Sequence, residues 1–195
     1  MRVDHAFESL ETERLRLRRS LIDDAEAISR YRSDPEVHRS QGWERTDPDG
    51  VRADIEQMSA RAPGEGGGWV QFSVEERDSG RLVGDVGISP ADGEPGVMKV
   101  GYTIDPAFQR RGYATEAVGA LVDYVFSTLE ADVVRAYADA DNVASIGVAE
   151  KVGLRLIERF HHRDEDGTWS VVRYERRRPA SPDLGSSGSY RQTPG

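Results

Sequence analysis

The chain has 195 residues, of which 37% are apolar and 31% charged, enough for one domain around one core. Its net charge of −9, from 26 Lys and Arg against 35 Asp and Glu, argues against general nucleic-acid binding and is compatible with a cationic small molecule or basic peptide as partner. It has no cysteine, hence no disulfide, thiolate metal ligand or cysteine nucleophile, and it shows neither a ~18-residue apolar run nor a secretory h-region, so no membrane association and a cytoplasmic location are expected.

Residues 1–11 read as a flexible N-terminus, and 12–178 as a single domain. Arg14 to Arg18 alternates Arg and Leu, the period of a half-buried strand. Asp23-Asp24-Ala25-Glu26 opens a helix with carboxylates in its first turn, and Asp34-Pro35 ends it near Ser33. Trp43 falls in a polar linker, and a second helix covers Asp49 to Ala60 before the glycine-rich loop Pro63 to Gly68. That loop is either a connector or a lid.

Trp69 to Arg77 and Arg81 to Ile88 form a hairpin through Asp78-Ser79-Gly80, and Val97 to Ile104 is the next strand. Apolar residues at Ala114, Ala117, Val118, Leu121, Val122, Val125 and Leu129 mark one face of a long helix. Val133 to Ala138 returns as a strand, which makes this strand-helix-strand unit a right-handed parallel crossover. Asn142 caps a helix to about Lys151, stopped by Gly153. Strands Leu154 to His161 and Thr168 to Glu175 flank the turn Asp164 to Gly167, and 179–195 reads as a disordered tail. The fold class is therefore α+β, with a mixed, mostly antiparallel sheet flanked by helices.

Between the third of these central strands and the long helix stands Gln109-Arg110-Arg111-Gly112-Tyr113-Ala114. A helix N-terminus offers backbone N–H groups and a partial positive charge, the glycine lets a ligand come close, and two arginines add charge. This is a pattern suited to a pyrophosphate.

Ile104-Asp105-Pro106-Ala107-Phe108-Gln109-Arg110-Arg111-Gly112-Tyr113-Ala114 resembles the acyl-coenzyme A signature of GNAT-type N-acetyltransferases. Asn142-Val143-Ala144-Ser145 through Glu150-Lys151-Val152-Gly153-Leu154 resembles the Asn-x-x-Ser…Glu-Lys-x-Gly-Phe pattern of the RimJ/RimL-like branch. Glu13 to Arg18 and Gly112 to Ala117 also fit that branch, and the similarity spans roughly Thr12 to Glu175.

The resemblance implies a sheet splayed at its parallel strand pair, with acetyl-coenzyme A as cosubstrate and no metal. It also implies that main-chain groups of Tyr102 and Ile104 pair with the pantetheine, that Gln109, Arg110, Arg111, Gly112, Tyr113, Ala114 and Thr115 hold the pyrophosphate, and that Asn142 and Ser145 contact the thiol arm. Thr115 can in addition cap the helix. Packing for the strand residues and simple N-capping for Asn142 and Ser145 remain alternative roles.

Acetyl transfer needs a deprotonated amine, an oxyanion donor such as a main-chain N–H near Ile104, and stabilisation of the departing thiolate. Many family members place a Tyr where this chain has Ala149, and Lys99 stands where some carry Glu. Ser145 is then the candidate for the sulfur, and Asp85 for the base and for contact with the acceptor, with a water relay as the alternative. Tyr31, Arg39 and Trp43 fall in the segment that lines the acceptor pocket in similar proteins. His38, His161 and His162 have suitable acidity but no distinguishing context.

The expected acceptor is an amine, on a small molecule or a peptide N-terminus, and the protein a monomer or homodimer. A non-catalytic acyl-coenzyme A sensor keeps the same fold. A nucleotide-binding regulator is disfavoured, because no Gly-Lys-Ser/Thr follows the glycine turn.

Overall fold

A computed structural model describes residues 1–41, 45–164 and 167–180. Its strands are β1 (Ser9–Glu11), β2 (Leu15–Arg19), β3 (Val70–Glu76), β4 (Leu82–Pro90), β5 (Val97–Ile104), β6 (Val133–Asp139), β7 (Arg155–Asp164) and β8 (Gly167–Arg177). They form one sheet in the order β1-β2-β3-β4-β5-β6-β8-β7. Every neighbouring pair is antiparallel except β5 and β6. The helices are α1 (Ala25–Arg32), α2 (Pro35–Gln41), α3 (Pro48–Ser59), α4 (Tyr113–Ser127) and α5 (Val143–Lys151).

Strand alternation divides the two faces. Leu15, Leu17, Phe72, Val74, Val86 and Ile88 pack with α4, whose buried stripe is Ala117, Val118, Leu121, Val122 and Val125. The opposite face of β3 and β4 carries Ser73 and Asp85 and lies under α1 and α3, which share their own small core of Ala25, Ile28, Tyr31, Val51 and Ile55. Central strands covered on both sides bury their polar residues too.

Two expectations change. Residues 9–11 are not a flexible leader: β1 pairs with β2, and the segment before it is anchored. Phe7 packs on Phe72 with ring centroids 4.8 Å apart, and Tyr124 Oη donates to Asp4 at 2.8 Å. Secondly, Pro35 ends α1 but also opens α2. Proline suits a first helical position, where its missing N–H costs nothing, and the Asp34 carboxylate accepts from Glu36 N at 2.9 Å. The expected tail lies outside the described residues from 181 onward.

The β5–β6 ladder covers only Val97–Lys99 against Val133–Arg135. Its closed end is clamped: Gly96 O accepts from Asp132 N and Val133 N, and Arg135 pairs with Glu94 and Glu175. Beyond Lys99, β5 follows β4 to Ile104, and β6 follows β8 to Asp139. The strands separate because each is held by a different neighbour.

Gly153 ends α5 at φ +82, a left-handed conformation in which a side chain is disfavoured by about 1–2 kcal/mol. An added Cβ would meet the Arg176 side chain, its Cδ nearest at 3.5 Å, in ordinary contact. Gly153→Ala is therefore expected to destabilise through the backbone alone, by about 1 kcal/mol in urea unfolding.

Candidate active site

The separation of β5 from β6 opens a cleft of about 960 Å³. One wall is the end of β5 and the turn that follows. Asp105 caps that turn by accepting from Ala107 N at 2.9 Å. Asp105 N donates to Val83 O, so alternate main-chain groups of β5 bond β4, and those of Tyr102 and Ile104 point the other way, toward the cleft. Gln109 Nε2 donates to Ile104 O at 3.0 Å and fixes the loop against the strand.

Arg110 and Gly112 both have positive φ, +61 and +83. Left-handed residues in such a turn aim successive backbone N–H groups at one point, a concavity for an anion. Glycine adopts this conformation without penalty, whereas Arg110 holds it against a steric cost. No side chain caps α4, and Thr115 lines the cleft instead of capping. The first N–H groups of α4 therefore face the cleft at the positive end of its dipole.

The loop is also braced from behind. Arg14 pairs with Glu116 at 2.6 Å, donates to Arg111 O at 3.0 Å, and stacks over the Tyr113 ring at 4.8 Å. Thr12 Oγ1 donates to the same Glu116 carboxylate at 2.6 Å. Burial pushes the Glu116 carboxyl up, but these bonds outweigh it and hold it below the ordinary carboxylate value. A negative charge in the first turn of α4 is thus neutralised by Arg14 rather than left beside the anion site. Tyr113 Oη donates to Glu76 at 2.5 Å, tying the same turn to β3.

The other wall is the start of α5. Asn142 Oδ1 accepts from Ser145 N at 3.0 Å, an N-cap, which leaves the amide nitrogen for a ligand. Ser145 Oγ does not serve the helix end. It accepts from Tyr102 Oη at 3.1 Å, across the split between β5 and α5.

Of the residues singled out in the sequence, Tyr102, Ile104, Gln109, Arg110, Gly112, Tyr113, Ala114, Thr115, Asn142 and Ser145 line this one cleft, and so does Arg39. Arg111 does not: its guanidinium turns back to Ala107 O at 3.1 Å and lies 5.3 Å from the centre of the Phe108 ring. Asp85 and Tyr31 are also elsewhere. Asp85 is 1% exposed; it accepts a hydrogen bond from Tyr31 Oη and pairs with Arg32 at 3.4 Å. Burial, together with the Asp85 charge, keeps the Tyr31 phenol well above its usual value and protonated. A carboxylate so enclosed cannot reach an acceptor amine, and the base and substrate roles suggested for it are withdrawn. Trp43 lies outside the described residues.

The cleft also contains residues that the sequence did not single out. Glu36 and Val37 come from α2, Asp139 and Asp141 from the end of β6, Lys151 from α5, and Trp169 and Ser170 from β8. Pro35 as a helix opener was the available signal for α2. Trp169 enters only because β8 pairs with β6 up to Asp139↔Val171, which no local pattern encodes. Gly64 to Gly68 do not line the cleft, in keeping with a connector. Among the described residues no cluster of three His, Asp or Glu could hold a metal.

Residues 14–155 match the family model described as an acetyltransferase (GNAT) domain. The uncharacterized N-acetyltransferase YoaA of Bacillus subtilis (strain 168) is 33% identical over 149 residues, 76% of this chain and 84% of that one. A solved GNAT-family acetyltransferase from Bacillus anthracis has the same fold, with a TM-score of 0.78 at 23% identity over 87% of this chain and 98% of that one. RimL, described as a ribosomal L7/L12 alpha-N-protein acetyltransferase in complex with coenzyme A, superposes with a TM-score of 0.76 at 16% identity, covering 87% and 98%.

Two substitutions test these placements. Arg110→Gly relieves the left-handed strain and removes a loop charge, so unfolding free energy should rise by about 1 kcal/mol while coenzyme A affinity falls in calorimetry. Asp85→Ala removes the carboxylate that Tyr31 and Arg32 share and should cost about 3 kcal/mol in urea unfolding. Coenzyme A affinity of the folded Asp85→Ala fraction should stay within about twofold of wild type, since the buried carboxylate is spent on Tyr31 and Arg32 and does not touch a ligand.

Proposed function

The chain belongs to the GNAT acetyltransferase family, and from that premise we propose that it moves the acetyl group of acetyl-coenzyme A to a primary amine, on a small molecule or a peptide N-terminus. The transfer is direct, with donor and acceptor bound together. The observation that carries this reading is the convergence, in one cleft, of the uncapped α4 N-terminus and its left-handed loop with Asn142 and Ser145.

The loop from Gln109 to Thr115 holds the pyrophosphate, Arg110 contributing charge from the cleft side and Arg14 keeping the turn in shape. The main chain of Tyr102 and Ile104 takes the pantetheine arm as an added strand would, and the amide nitrogen of Asn142 meets it from α5. The RimJ/RimL-like character rests on the Asn142 to Leu154 segment and is supported by the fold shared with RimL, a structure containing coenzyme A.

The carboxylates of Glu36, Asp139 and Asp141 line the cleft together with Arg39, Arg110 and Lys151, a lining of mixed charge that offers carboxylates to an ammonium acceptor before it loses its proton. With Asp85 enclosed, deprotonation passes to water in the cleft. Ala149 is a buried methyl group, so no proton comes from that position, and Ser145 donates a hydrogen bond to the departing sulfur.

Release of coenzyme A thiol, measured against a panel of primary amines and N-terminal peptides, tests the reading. Ser145→Ala is expected to lower kcat at least about tenfold, some 1.4 kcal/mol of transition-state stabilisation, with coenzyme binding nearly unchanged. Thermal stabilisation by acetyl-coenzyme A without thiol release from any member of the panel would instead identify a sensor.

A further inference from the structure

The bond between Tyr102 and Ser145 joins two elements that meet nowhere else through side-chain hydroxyls among the described residues: Tyr102 on β5 and Ser145 in the first turn of α5. Both side chains line the cleft where the strands part. A serine at this helix position commonly serves the backbone. Here Asn142 already caps Ser145 N, so the Ser145 hydroxyl is released from that task.

The direction of the bond follows from acidity. A phenol is the stronger acid of the two hydroxyls and therefore the donor. Ser145 Oγ accepts, and its own single proton must point away from the tyrosine, to another partner in the cleft. Without Tyr102 the serine rotor could turn that proton elsewhere.

We infer that Tyr102 is a positioning residue for thiolate departure: its hydroxyl orients Ser145 so that the serine proton faces the sulfur of the donor. This inference rests on the role proposed above for Ser145 and adds the group that sets the serine's orientation. In the step itself, the amine lone pair forms the N–C bond, the C–S bond breaks, and its electron pair passes to sulfur. The surplus amine proton goes to water. The thiolate leaves as an anion that accepts the Ser145 hydrogen bond, so neither hydroxyl has to give up its proton.

Burial pushes the Tyr102 phenol above its usual value, with the bond to Ser145 pulling the other way. The tyrosine is therefore a donor throughout the range in which a thiol of ordinary pKa, about 8.5, ionises. The Ser145 donor, held toward sulfur by Tyr102, stabilises the thiolate relative to the thiol, so bound coenzyme A should ionise more readily than free coenzyme A.

Four proteins decide the matter: wild type, Tyr102→Phe, Ser145→Ala and the double variant. Coenzyme A affinity is measured by calorimetry from about pH 7 to pH 9.5, and thiol release is followed with the panel amine or peptide that wild type turns over fastest. Tyr102→Phe keeps the ring and its packing. Wild-type affinity for coenzyme A should gain at least about threefold on raising the pH through the thiol pKa, and both single variants should lose that gain. Tyr102→Phe should lower kcat by about three- to tenfold with the KM for acetyl-coenzyme A within about twofold. The double variant should be no worse than Ser145→Ala, as expected of two groups acting through one hydrogen bond.

Multiplicative losses in the double variant, or a wild-type pH profile and kcat in Tyr102→Phe alone, would overturn the inference and leave the role of Ser145 standing. Wild-type turnover and pH profile in Ser145→Ala would overturn both. Failure of wild type to bind coenzyme A would overturn the proposed function itself.

Discussion

β5 and β6 share three rungs of parallel ladder, Val97–Lys99 with Val133–Arg135, and then part. At the closed end, Gly96 O and the Arg135 ion pairs with Glu94 and Glu175 fix the two strands together. At the open end each strand is held only by its outer neighbour, β4 or β8. The ligand cleft is the space left between them. A continuous sheet would use the main-chain groups of Tyr102 and Ile104 for pairing within the protein, and α5 could not bring Asn142 and Ser145 opposite β5. The β5–α4 loop would then be an anion site without room for the rest of a ligand.

Charge is managed differently on the two sides of the sheet. On the α4 side, Arg14 compensates Glu116 and supports the turn through Arg111 O, so that an arginine outside the cleft sets the shape of the anion site inside it. On the α1 side, Asp24 accepts from Arg18 and Ser73, and Asp85 from Tyr31 and Arg32. Removing one member of such a buried cluster strands its partners in a medium that solvates charge poorly. These carboxylates hold α1 on the sheet, and through the turn at Asp34 they place α2 at the cleft. Asp85 thus belongs to the support of the acceptor side, one layer behind the residues that can touch a ligand.

Much of the design was written locally. The 2-residue alternation of Arg14 to Arg18, the helical stripe from Ala114 to Leu129, the cap at Asn142 and the stop at Gly153 each follow from a spacing or a backbone preference that neighbours in sequence enforce. The Gln109 to Ala114 loop was legible for the same reason, since a helix N-terminus preceded by glycine is an anion site wherever it occurs. The order of elements then sufficed for the α+β class and the single parallel crossover.

Tertiary structure decided what alternation and spacing leave open. A strand pattern says that Asp85 and Val86 face opposite ways, but not that helices cover both faces, and burial under Tyr31 and Arg32 is what removes Asp85 from the chemistry. Arg110 and Arg111 are neighbours of one type, yet the left-handed turn at Arg110 directs one along the cleft and the other back onto Phe108. Phe7 and β1 are ordered by contacts with Phe72, Tyr124 and β2, which are distant in sequence. The meeting of Tyr102 with Ser145, 43 residues apart, depends on two strands diverging by a set amount. The sequence by itself determined the elements and the anion loop, because those depend on neighbours along the chain; the cleft and the hydroxyl pair within it were decided only where separate elements pack.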